Sequence, residues 1–234
     1  MATTYTIQIF NSSNINRSYS LFQSVPTPQN SPDCFTNVYQ RSPMIVSGNS
    51  SYCTFSMQKT FYAIYGTSPK TLSAGVTVTS CNSAPITLSS NDGTPPASSG
   101  TQLALSTIEK NGKDPMWGAP SMTQGTLPNS YGISCDSSFS YPNSSNICIG
   151  FGATDPHTGQ VIPVATIPAI PGTDFFFEPK NTYYIAAGSW ALGTVVNVAA
   201  LSTTLTVDFT QISMHDAIFT HCADGSWKVG PPRS

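Results

Sequence analysis

The sequence predicts an all-β fold: one antiparallel β-sandwich or barrel of about ten or more short strands joined by long loops. Three observations predict it. Apolar and polar residues alternate with a period of two from end to end, while the i, i+3, i+4, i+7 stripe of an amphipathic helix is hard to find. Clusters of Pro, Gly, Asn and Ser punctuate the alternating runs. Roughly a quarter of the 234 residues are Ser or Thr and only 9% are charged, so hydroxyls and amides replace charges as the polar surface. An apolar content of 39%, with 11% aromatic residues, is ample for a core and argues against disorder.

Taken in order, residues 5–9 (YTIQI) alternate cleanly, and strand-like runs follow at 19–23 and 35–40. The longest alternation is FSMQKTFYAIY at 55–65. Further runs lie at 76–79, 102–108, 147–151, 175–177 and 183–187, and LTVDF at 205–209 alternates again. Pro26-Thr27-Pro28, residues 91–96 and residues 168–172 separate strands. Near the C-terminus, 218–223 and 226–229 meet across Asp224-Gly225, the pair a two-residue type I′ hairpin turn favours. Residues 89–100 read as a long loop within a single domain spanning 1–234, since neither side shows a repeat or a shift in composition.

Nine Lys+Arg against eleven Asp+Glu leave a net charge of −2, which predicts no nucleic-acid partner and offers no polybasic membrane patch. The longest apolar stretch, 185–201, is broken by Gly188, Gly193 and Asn197, so no membrane insertion is expected. The start MATTYTIQIFNSS lacks the basic and apolar regions of a signal peptide. Six cysteines nevertheless leave the secretory pathway open. Cys135 and Cys148 flank a turn-rich segment that a disulfide would close; the other reading is six small buried thiols in a reducing cell.

Walker loops, G-x-G-x-x-G after a strand, the G-x-S-x-G elbow and C-x-x-C pairs are all missing from the sequence. No cofactor is therefore expected. His215 and His221, with Asp216 and Cys222 beside them, form the one metal-like cluster. Their spacing matches no standard motif, so a structural or surface role is preferred and no metal site is assigned. Asp174 and Glu178 bracket Phe175-Phe176-Phe177 on one strand face, with no partner marked for glycoside hydrolysis.

Lys59 stands out. In the 55–65 run it shares a face with Phe55, Met57, Phe61 and Tyr65. There it either snorkels to the sheet edge or projects into a cavity as an acid, base or cation. Arg17 and Arg41 follow it as candidates, each in a strand-end context that favours the surface. Trp117, between Pro115 and Gly118, reads as a loop tryptophan able to stack on a sugar or to line an apolar pocket. The candidate site is thus Lys59 as the catalytic group, with Phe55, Met57, Phe61, Tyr65 and Trp117 as substrate-binding residues.

The opening block YTIQIFNSSNINRSYSLFQSVP, followed by FTNVYQ, resembles the start of a group of small fungal β-proteins. In size, missing cofactor motifs and hydroxyl-rich β character, the chain is similar to the fungal hetero-Diels–Alderases of secondary metabolism that join a tropolone to a humulene-type sesquiterpene. The resemblance implies a cofactor-independent cyclase that holds a quinone-methide-like diene against a macrocyclic alkene. Proximity would supply much of the rate, and hydrogen bonds or a cation on the tropolone oxygens an electrostatic share. It carries no family catalytic residue onto a position here. The expected partner is a small apolar or aromatic substrate, and a homo-oligomer is compatible with the sequence. The alternative is a non-catalytic lectin-like β-sandwich that binds carbohydrate through hydroxyl-rich loops and exposed rings.

Overall fold

The computed structural model describes residues 4–25, 34–48, 50–90, 99–109, 113–118, 121–123, 128–201, 203–212 and 215–232. Its strands are β1 (Thr4–Ser12), β2 (Tyr19–Gln23), β3 (Phe35–Asn37), β4 (Gln40–Arg41), β5 (Tyr52–Gln58), β6 (Phe61–Thr67), β7 (Thr79–Pro85), β8 (Gly100–Thr107), β9 (Pro115–Trp117) and β10 (Ser121–Thr123). They continue as β11 (Tyr131–Cys135), β12 (Cys148–Thr154), β13 (Val161–Pro168), β14 (Thr173–Phe177), β15 (Thr182–Ala187), β16 (Val195–Val196), β17 (Thr204–Asp208), β18 (Asp216–Cys222) and β19 (Trp227–Val229). A single 3-10 turn at Val198–Ala200 is the only helical element among the described residues.

Four sheets result. Sheet I has the order β19-β18-β1-β5; sheet II, β10-β8-β11-β14 with β9 also on β8; sheet III, β16-β3-β13-β12-β6-β7; and sheet IV, β17-β15-β2-β4. Each turns an apolar face to one shared core. In sheet I, Tyr5, Ile7 and Ile9 of β1 lie opposite Met57, Phe55 and Cys53 of β5, and all six are buried. Sheet II adds Tyr131, Phe175 and Phe177, sheet III adds Tyr65, Phe151 and Val164, and sheet IV adds Leu21, Tyr183 and Val207. Burying each Phe contributes roughly 1.5–3 kcal/mol over leaving it in water.

The pairing is mostly antiparallel, with two parallel ladders: β1 with β18, and β8 with β11. Two predicted strands prove to be pairs. The 55–65 run is divided at Lys59-Thr60, where the chain leaves sheet I for sheet III, and 35–40 divides into β3 of sheet III and β4 of sheet IV. Residues 76–79 form no strand of their own: Val76 and Val78 are buried, Thr77 makes one bridge with Thr194, and β7 starts only at Thr79. Most of the predicted 89–100 loop lies outside the described residues.

The C-terminal hairpin forms at Asp224-Gly225, but with a three-residue loop. The Gly225 N–H bonds the Cys222 carbonyl and the Cys222 N–H bonds the Ser226 carbonyl. Of the two expected positive-φ residues only Gly225 has one, at +80°. The Asp224 carboxylate is drawn into bonds from the Ser226 N–H and hydroxyl, giving a type I turn closed by a glycine bulge.

The expected Cys135–Cys148 disulfide is not formed, and all six cysteines are free. Cys135 ends β11 in sheet II while Cys148 opens β12 in sheet III. The segment between them is closed by Asn143 instead, whose amide donates to the Ser140 carbonyl and accepts from the Ile147 N–H. Burial pushes both thiols up to about 12, so they stay protonated and unreactive at neutral pH.

Candidate active site

Two passages of the chain between sheets open a groove. β5 and β14 are the outermost strands of sheets I and II. Beyond β5 the chain crosses through Lys59 and Thr60 to β6 in sheet III, and beyond β14 it crosses through residues 178–181 to β15 in sheet IV. Side chains on such crossings are released from both ladder and core, which leaves them free to face a ligand. Between the crossings lies a cleft of about 520 Å³ lined by Lys59, Phe61, Leu88, Asn129, Glu178, Pro179, Lys180, Asn181, Thr182 and Thr210. Its size is ordinary for a small-molecule site.

Lys59 neither lies on the core face of β5 nor has a buried charge. The strand ends one residue before it, and Lys59 is exposed in the turn. Its ammonium stands 5.2 Å from the centroid of the Tyr5 ring, within cation–π range. No described carboxylate pairs with it.

Across the groove Lys180 is neutralised by Glu178 at 2.7 Å. An exposed pair of this kind adds at most about 1 kcal/mol to stability, but it leaves Lys59 as the wall's uncompensated cation. The crossing itself is pinned: the Gln23 amide donates to the Lys180 carbonyl at 2.5 Å, and the Phe209 N–H to the Asn181 carbonyl at 3.0 Å. The Thr210 hydroxyl and N–H both donate to the Asp208 carboxylate, at 2.7 and 2.9 Å, and these bonds hold its carboxyl below the ordinary 3.8. Phe61 supplies apolar floor and meets Phe151 edge-on at 6.3 Å.

Of the sequence-derived site residues, the fold therefore brings Lys59 and Phe61 together. Phe55 and Met57 are 2% and 1% exposed and point into the shared core. Tyr65 is buried and meets Trp117 edge-on at 4.9 Å, forming a separate aromatic pair. Trp117 belongs to no loop; it sits in β9 opposite Leu105 of β8, half-buried against the core. Its indole N–H has no partner among the described residues.

Arg17 is half-buried, donating to the Ser13 hydroxyl at 3.0 Å, and Arg41 is exposed on β4. Asp174 is exposed on β14, whereas Glu178 lies beyond that strand, so the two do not share a strand face. His215 is exposed and His221 buried, and among the described residues no three metal-ligating side chains gather.

Leu88, Asn129, Lys180, Asn181 and Thr210 reach the groove from separate stretches of the chain and carry no local signal. Lys59, a rare cation in a run of alternating apolar residues, and Phe61 beside it are the proposed site residues the sequence marks; Glu178 is legible there only as a flanking acid. A second cleft of about 740 Å³, beside Phe35, Tyr184 and Val195, is lined by no charged side chain. Its polar groups are hydroxyls and an amide, with no cation for a charged oxygen.

The RhiA family model matches residues 2–231 of the chain. No curated protein and no solved structure matches it.

Proposed function

The chain belongs to the RhiA family, that of the tropolone–sesquiterpene hetero-Diels–Alderases, and from that premise we propose that it joins a tropolone quinone methide to a humulene-type alkene in the Lys59 groove, without a cofactor. The family match supports a Diels–Alderase-type cyclase. The placement of the reaction rests on one observation: an ammonium with no described carboxylate partner, standing beside the apolar floor of a groove of small-molecule size.

The chemistry asks little else of the protein. The heterodiene is the C=C–C=O unit of the quinone methide. The methide carbon forms a C–C bond to one alkene carbon while the carbonyl oxygen forms a C–O bond to the other. Two new σ bonds replace two π bonds, no atom leaves and there is no net oxidation, so no redox partner is required. As the oxygen gathers charge in the transition state, a nearby ammonium stabilises it more than it stabilises the ground state. Phe61, Leu88 and Pro179 offer apolar surface for the macrocycle, while the Asn129 and Asn181 amides and the Thr182 and Thr210 hydroxyls offer hydrogen bonds to the tropolone oxygens. Holding both partners in one groove removes the entropic cost of their encounter.

Lys59→Met tests this reading. Adduct formation from a tropolone quinone-methide precursor and a humulene-type alkene should show kcat/KM at least about tenfold lower, or roughly 1.4 kcal/mol. Because Lys59 is exposed, no buried charge is relieved and stability should stay within about 0.5 kcal/mol. Lys59→Arg should retain part of the activity, since it keeps the cation. Wild-type turnover in Lys59→Met would remove the groove from the reaction. Binding of a glycan with no adduct formed would favour the lectin alternative.

A further inference from the structure

Tyr5 lies on the core face of β1, 5% exposed, and its ring is fixed on several sides. Phe209 stacks on it with centroids 4.4 Å apart and planes 22° apart, and His215 meets its edge at 5.4 Å. Phe209 in turn packs edge-on against Tyr183 at 6.0 Å, tying the ring to sheet IV. The β1–β5 register then delivers Lys59 to this ring: Tyr5 faces Met57 and Thr4 faces Gln58, so Lys59 emerges beside it as the ladder ends. An exposed lysine in a turn would otherwise spread over many rotamers. Here its ammonium is found over an electron-rich face, 5.2 Å from the centroid.

We propose that Tyr5 is a positioning residue, holding the Lys59 ammonium at the groove through the face of its ring and not through its hydroxyl. The proposal rests on the assignment of the groove as the active site. It adds a residue from the neighbouring strand at the same end of sheet I's ladder, one whose alternation marks it only as core. The electrons of the ring face are what hold the cation, so draining them at constant shape should release it.

The test replaces Tyr5 by phenylalanine and then by 4-fluoro-, 3,5-difluoro- and pentafluorophenylalanine, each in the wild-type chain and in Lys59→Met. These rings are close in shape, and melting temperature verifies that each variant folds. The Lys59 amine, carrying carbon-13 methyl groups added by reductive methylation, is followed by NMR and assigned by its loss in Lys59→Met. Its ring-current displacement should persist with phenylalanine, shrink stepwise with fluorine and vanish with the pentafluoro ring.

Over the same series kcat/KM should fall by about two- to fivefold in the wild-type chain and stay level in Lys59→Met. A Lys59 resonance that ignores fluorination overturns the proposal, as does an equal fall in both backgrounds, which would mean Tyr5 acts only through packing. Wild-type turnover in Lys59→Met would overturn the groove assignment itself, and that failure is distinguishable because the resonance series would then stand with no activity series beside it.

Discussion

Lowering the pH from about 8 to about 5 should weaken this protein through one side chain, the imidazole of His221. It is 2% exposed on β18, its Nδ1 lies 3.1 Å from the Tyr19 hydroxyl, and its ring stacks on Trp227 with centroids 4.4 Å apart. The groups that bear on it are Tyr19, the Arg17 guanidinium and, from the hairpin turn, Asp224. Burial first and Arg17 second hold its pKa below the usual 6.5, with Asp224 opposing. In the unfolded chain the imidazole takes up a proton near 6.5, while in the folded protein it resists until the pH is lower.

The unfolded state thus binds more protons in that window, and stability falls as the pH falls. The contribution is intact above about 6.5 and lost on the acid side, with a slope that one proton limits to about 1.4 kcal/mol per pH unit. Asp208 and Asp224, both held below the ordinary 3.8, lose their contributions only in stronger acid. His221→Phe keeps a ring against Trp227 but orphans the fully buried Tyr19 hydroxyl, which costs about 1–3 kcal/mol. Adding Tyr19→Phe should recover part of that, because neither polar group then remains. Urea unfolding followed by tryptophan fluorescence, repeated across this pH range, measures both effects. If His221→Phe shows the same acid slope as the wild type, the reasoning fails.

Gly150→Ala should destabilise by at least about 3 kcal/mol in the same unfolding assay, because a Cβ there would stand 1.9 Å from the Ala165 carbonyl oxygen of the neighbouring strand. Thiol titration should count six reactive cysteines in denaturant without reductant. In the native protein the exposed Cys81 should react first, since burial pushes the thiols of Cys34, Cys53, Cys135 and Cys148 up to about 12.

What the sequence shows depends on how a strand is buried. β1 is legible because Tyr5, Ile7 and Ile9 are buried while the residues between them are only half-buried, so its period-two pattern survives. β13 is not: six consecutive residues of Val161–Pro168 are buried, which erases the alternation, and Pro163 speaks against a central strand. That proline is accommodated opposite Gly152, where the β12–β13 register shifts. The 55–65 run misleads for a different reason. Alternation continues through Lys59-Thr60 although the chain changes sheets there, because both strands face the same core. Lys59 was therefore conspicuous but misplaced. Its groove partners come from turns and crossings, where residue type follows no period and proximity is set by the packing of four sheets.

The parallel ladder between β1 and β18 has a consequence for how the protein is made. Thr6 and Asp216, joined across that ladder by a side-chain hydrogen bond, are 210 residues apart. At about 5–20 residues per second, translation separates their synthesis by on the order of 10–40 s. β5 reaches one edge of β1 early, whereas the other edge waits for β18 to leave the ribosome. β1 is made long before it is enclosed, and pairing at such sequence distance is intrinsically slow. The nascent chain therefore carries an open, apolar-faced edge through most of its synthesis, and a chain that stops short of β18 never closes it.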